Sequence, residues 1–197
     1  MPRLLLIAFG NFFGLFVAEI SLRLADYPFP KFYQLDVSRG YALRPGVEGW
    51  YRKEGISYVR INSDDLRDVE HSKTKPPNTL RIAVVGDSYA EALQVGQQNS
   101  FWALLEERLT SCVGEDLKVE VINFGVSGYG TAQELLTIRE RVWSYSPDLV
   151  ILAFTTGNDI SDNVRELKRA ADIPYFISET SARFGQLFSQ FHWLSLA

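Results

Sequence analysis

Three strand-like runs, residues 80–85, 118–123 and 149–154, alternate with segments whose apolar residues recur at helical spacing, and that alternation leaves few folds open. The last run is uninterrupted apolar sequence. A strand apolar on both faces belongs inside a parallel sheet covered by helices on each side. Between the first two runs, Phe101, Leu104, Leu105 and Leu109 fall on one helical face. Thr131 and Glu134 have capping-box spacing, which predicts a helix that carries Leu135, Ile138 and Val142 inward and stops at Ser146-Pro147. The expected fold is therefore α/β: a three-layer sandwich on a parallel sheet, occupying residues 79–197.

The chain has 197 residues, 46% of them hydrophobic, enough for one domain with a core and an appendage. Its formal charge of -4 comes without a basic stripe, which argues against nucleic acid as a partner. The single cysteine, Cys112, cannot form an internal disulfide, and is expected to pack as a small hydrophobe on a helix. With two histidines there is no metal-ligand spacing, and neither a metal nor a cofactor is expected.

At the N-terminus, residues 4–18 carry Asn11 as the sole polar side chain and no charge. This run is shorter than the roughly 20 residues that span a bilayer, but Ile20, Leu22 and Leu24 extend it, and Glu19 and Arg23 can pair at i,i+4. Residues 1–25 are read as a membrane anchor or signal segment. Cleavage after Ala18, Ser21 or Ala25 would put Phe16, Glu19 or Arg23 where a small residue is preferred, so an uncleaved anchor is favoured. Arg3 on one side faces Arg23, Lys31, Arg39 and Arg44 on the other, and charge does not set the orientation.

Residues 26–78 are rich in Pro, Gly and aromatics, so regular helix is not expected there. Residues 57–62 alternate and can pair with 49–53 through Glu54-Gly55, forming a small β cap on the main domain. Residues 73–78, with Pro76-Pro77, read as a linker.

The chemistry gathers where the three runs end. Gly86-Asp87-Ser88 follows the first, Asn123-Phe124-Gly125-Val126-Ser127-Gly128 ends the second, and Gly157-Asn158-Asp159 follows the third. Open α/β sheets place their ligands at the carboxyl ends of their strands. A serine there needs a base, a group that orients the base, and donors for the oxyanion that forms. Ser88 supplies the hydroxyl. Asp68-Val69-Glu70-His71 has the spacing of an orienting acid and a base but precedes Ser88 in a polar stretch, and is read as a solvated loop. His192 is read as part of a packing helix with Phe184, Leu187, Phe188, Phe191 and Leu194. Asp64, Asp65 and Asp68 read as a solvated acidic turn rather than a cation site.

These ordered blocks resemble the SGNH hydrolases, also called GDSL esterases and lipases, over roughly residues 79–159. The resemblance implies a sheet in the flavodoxin-like order 2-1-3-4-5, with its last strands missing here. It implies Ser88 as nucleophile and an oxyanion hole made from the N–H groups of Ser88 and Gly128 and the side-chain amide of Asn158. The anchor and the Asn62-x-x-x-x-Arg67 segment also look like membrane-anchored members, which often carry glycine where this chain has Asp65; a turn there would need positive φ. The fourth block of the family, an Asp-x-x-His that brings the base, has no match near the C-terminus, and the chain is expected to be a C-terminally incomplete form.

The resemblance thus implies a serine ester hydrolase acting on carboxylic esters or carbohydrate O-acetyl esters, small-molecule or glycan in kind, with its domain on the periplasmic or extracellular side of a membrane. Acyl transfer to a glycan hydroxyl is a close variant. A catalytically inert, membrane-anchored binding module and a truncated fragment lacking the base are the alternatives. The apolar third strand, if it lies at an open sheet edge, predicts association of the expressed chain.

Overall fold

The computed structural model describes residues 2–24, 30–114, 116–168, 173–178 and 191–193. The chain divides into two compact units, Met1–Pro30 and Lys31–Ala197.

The first unit is helix α1, Pro2–Leu24. Its 22-residue stretch Arg3–Leu24 has mean hydropathy 1.9 and no buried share, so α1 has the length and composition of a membrane anchor or a signal sequence. Three of its polar side chains are answered locally. Asn11 donates to the Ile7 carbonyl at 2.9 Å, and Arg23 pairs with Glu19 at 2.8 Å, as the i,i+4 spacing predicts.

The second unit opens with two antiparallel hairpins. In the first, β1 (Tyr33–Asp36) pairs with β2 (Gly40–Leu43). Asp36 Oδ1 accepts from the backbone N–H of Ser38 and Arg39 at 3.1 and 2.8 Å, and Gly40 takes φ 84°, which together close the turn. In the second, β3 (Glu48–Tyr51) pairs with β4 (Ser57–Arg60), the hairpin expected through Glu54-Gly55.

The main sheet is parallel, with the expected β5 (Thr79–Gly86) at its centre, β6 (Lys118–Asn123) on one side and β7 (Leu149–Ala153) on the other. β5 is followed by the one-turn helix α2 (Ser88–Glu91), and α3 (Phe101–Val113) leads into β6. α4 (Thr131–Glu140) and a 3₁₀ turn lead into β7, after which come the short helices α5 (Asp159–Asp162) and α6 (Arg165–Lys168). Alternate residues of β5 face opposite ways. Ile82 and Val84 pack with Trp102 of α3 and with Val119 and Val121, whereas Ala83 and Val85 pack with Ile122, Phe124, Val142 and Tyr145. A further cluster of Phe32, Leu43, Val59, Ile61, Leu93, Val126 and Tyr129 joins both hairpins to the loops that follow β5 and β6.

Several expectations fail on which face is buried. In α3, Trp102 is buried while Phe101 and Leu104 are exposed, and Leu105 and Leu109 pack inward. In α4, Leu136 is buried in place of Leu135, on a helix whose Gln133, Glu134 and Thr137 are buried as well; Gln133 donates to the Arg39 carbonyl and Thr137 to the Gln133 carbonyl. Thr131 is not the cap: Gly130 holds that place, its N–H donating to Gln133 Oε1 at 3.4 Å. Cys112 is exposed rather than packed. β7 is only half-buried, with Leu149 and Leu152 exposed, since among the described residues it is paired on the β5 side alone.

The expected helix around His192 lies mostly outside the described residues. Phe191–Trp193 itself is a strand, β9, pairing antiparallel with β8 (Phe176–Ser178), in keeping with the strand preference of aromatic residues.

Candidate functional site

Gly86, the last residue of β5, lies opposite Ala153 of β7, and its carbonyl accepts from Val126 N–H at 3.0 Å. The three motif-bearing segments therefore leave the sheet at one carboxyl edge. There Asp87 turns the chain: its Oδ1 accepts from Tyr89 N–H at 3.0 Å, and Ser88 begins α2, half-buried.

The second segment is locked onto the first. Asn123 Oδ1 accepts from Gly125 N–H at 3.0 Å, and a Cβ on Gly125 would lie 2.5 Å from Ala90 Cβ and 2.6 Å from Glu91 N. Only glycine permits that approach. Gly128 has φ 76°, and a Cβ there would lie 2.8 Å from the Tyr41 hydroxyl, so this position too is closed to other residues. Among the described residues, no hydrogen bond uses the N–H of Ser88 or of Gly128. Both donors stand open.

The third segment joins the second through side chains. Asn163 Oδ1 accepts from Ala132 N–H at 2.9 Å, Lys168 donates to the Gly128 carbonyl, and Lys168 pairs with Asp162 at 2.9 Å. Asn158 precedes α5, and its Nδ2 donates one hydrogen to Asp162 Oδ2 at 3.2 Å, leaving the second.

Two buried acids that sequence reasoning missed underlie this edge. Glu91 is fully buried in α2; both its oxygens accept from the Tyr33 hydroxyl, at 3.0 and 2.9 Å, and Oε2 also accepts from the Ser127 hydroxyl. Burial pushes its pKa up to about 7, against the pull of those hydroxyls and of Arg67. Glu134 is buried with neither oxygen hydrogen-bonded, and burial together with the negative charges of Asp159 and Asp87 pushes it up to about 8. Apart from the spacing of Glu134 after Thr131, nothing in the sequence marks either acid as buried.

The acidic turn and its neighbours are structural, and they are not solvated as expected. Asp65 takes φ 55° and is held by Arg39 at 3.2 Å and by Arg141, which answers the positive φ that a glycine would otherwise supply. Asp64 accepts from the Tyr145 hydroxyl at 2.6 Å and pairs with Lys73. Arg67 is buried and donates to the carbonyls of Glu91, at 2.7 Å, and Val95. Asp68 Oδ2 accepts from Asn123 N–H at 2.9 Å and lies 3.3 Å from His71 Nε2. Burial works against a charged His71 ring, but Asp68, with Glu120 and Glu106 beside it, raises its pKa overall. Through Asp68, which meets the backbone of β6 at Asn123, His71 is held beside the end of that strand, and among the described residues no hydrogen bond joins it to Ser88.

An open cavity of about 640 Å³ adjoins Gly128, lined by Tyr33, Gln34, Leu35, Tyr41, Ser127 and Gly128. Among the described residues no group of three or more His, Cys, Asp or Glu side chains is disposed to hold a metal ion. No family model matches the chain, and no curated protein matches it.

Proposed function

We propose that this chain is an ester hydrolase of the SGNH type, built on a three-layer sandwich whose β6-β5-β7 order is the start of a flavodoxin-like sheet. The observation that carries the reading is the arrival of Ser88, Gly128 and Asn158 at one carboxyl edge of three hydrogen-bonded parallel strands, with the N–H groups of Ser88 and Gly128 open. In this role Ser88 Oγ attacks the ester carbonyl, and the oxyanion is held by those two N–H groups and the remaining Asn158 hydrogen. The alcohol leaves, and water then releases the acid. If a glycan hydroxyl takes the place of water, the same acyl-enzyme makes the site a transferase.

The substrate is a carboxylic ester, small-molecule or carbohydrate-borne, and α1 holds the domain at a membrane on the periplasmic or extracellular side. A histidine must take the Ser88 proton. Among the described residues no hydrogen bond joins His71 to Ser88, which favours a second reading, an inert anchored module that binds such a ligand without turning it over. A fluorophosphonate probe separates the two. Stoichiometric labelling that is lost in Ser88→Ala supports the hydrolase; an unlabelled, folded protein supports the binding module.

A further inference from the structure

The cavity beside Gly128 is walled by the β1–β2 hairpin, which none of the sequence blocks includes. Its chemistry is one-sided. No charged side chain lines it, and its two phenols are already engaged: Tyr33 donates to Glu91, and Tyr41 donates to the Ser127 carbonyl at 2.8 Å. The rings pack edge to face at 6.0 Å, and Tyr41 packs likewise on Tyr129 at 5.4 Å, so the wall is braced from behind. Leu35 contributes the remaining apolar surface while 87% exposed, an open position for an aliphatic side chain beside a cavity. Ser127 and Gly128 also line it, so the cavity adjoins the residue whose N–H is one of the two candidate oxyanion donors.

We infer that the hairpin residues Tyr33, Leu35 and Tyr41, with Ser127 and Gly128, form a subsite for an uncharged alkyl or acyl chain attached to the reacting ester. This rests on the hydrolase reading only for the identity of the attached group. The volume far exceeds an acetyl group. Of its polar lining side chains, the Tyr33, Tyr41 and Ser127 hydroxyls already donate their protons within the protein, which leaves Gln34 to offer side-chain donors to the hydroxyls of a sugar ring.

The test uses the full chain in phospholipid nanodiscs and two fluorophosphonates, one with a methyl and one with an octyl group on phosphorus. In each, an Oγ–P bond forms at Ser88, the P–F bond breaks, and fluoride leaves with the serine proton. The octyl probe is expected to label at least about tenfold faster than the methyl probe, the worth of two or so buried methylenes. Leu35→Asp is expected to bring the ratio close to that set by lipid partitioning alone, with Leu35→Ala between; circular dichroism checks that both variants fold. A ratio that Leu35→Asp leaves unchanged overturns the subsite. If neither probe labels the protein, the Ser88 reading fails separately, and a neutral octyl diazirine decides the subsite. Crosslinks on the Tyr33 to Tyr41 peptide that Leu35→Asp removes uphold it, whereas crosslinks confined to α1, or none, overturn it.

Discussion

At the scale of single residues, the acids carry the sharpest consequences. Glu134 is held unionised by burial and by Asp159 and Asp87, with a pKa near 8 in the folded chain against an ordinary 4.5. Its folded value is the higher, so the folded state binds the proton more tightly. The penalty is absent below pH 4.5, grows as the pH rises, and is complete above about 8. Glu134→Gln keeps the shape and removes the ionisation. Thermal melts should show the variant more stable than the parent at pH 9, by about 2–4 kcal/mol, and nearly equal to it at pH 5. An equal difference at both pH values would assign the effect to something other than ionisation. Asp65 illustrates how such residues escape sequence reasoning. Its backbone takes φ 55°, a conformation that favours glycine, and Arg39 and Arg141, far away in the chain, meet its carboxylate.

At the scale of elements, the turn after β5 and the loop after β6 act as one piece. Gly125 lies directly against Ala90 and the Glu91 backbone, where nothing flexible can give way. Gly125→Ala should destabilise the second unit by about 1–3 kcal/mol in urea unfolding and slow fluorophosphonate labelling of Ser88, because the two segments must separate to admit the methyl group. An unfolding midpoint matching the parent would mean that the loop relaxes freely. The existence and order of β5, α3, β6, α4 and β7 were legible from periodicity, as was the β3–β4 hairpin. Their buried faces were less so. α4 turns Gln133, Glu134 and Thr137 inward beside Leu136, and a pattern of apolar residues alone selects Leu135 instead. The β1–β2 hairpin was missed because its signal is a turn, Asp36 accepting from Ser38 and Arg39 before Gly40, rather than an alternating run.

At the scale of the whole molecule, α1 lies in a compact unit separate from the rest of the chain. Twenty-three helical residues extend about 35 Å, enough for a hydrocarbon core of about 30 Å. Full-length protein should float with liposomes in a density gradient, and the paired substitution Phe9→Arg with Phe13→Arg, which breaks a stacked aromatic pair on α1, should leave it at the bottom. Flotation that persists would move membrane binding to another part of the chain. The alternation of strand and helix over residues 79–153, the apolar N-terminus and the serine after β5 were determined by the sequence alone, because each depends on residues near one another in the chain; the strand at Phe191–Trp193, read from sequence as helix, was not. Which acids are buried, where the candidate oxyanion donors stand open, and which hairpin walls the cavity were decided only in the tertiary structure. Those properties arise between groups far apart in sequence, as Tyr33 and Glu91 are at a separation of 58 residues, and burial and hydrogen bonding take their values only when the fold brings such groups together.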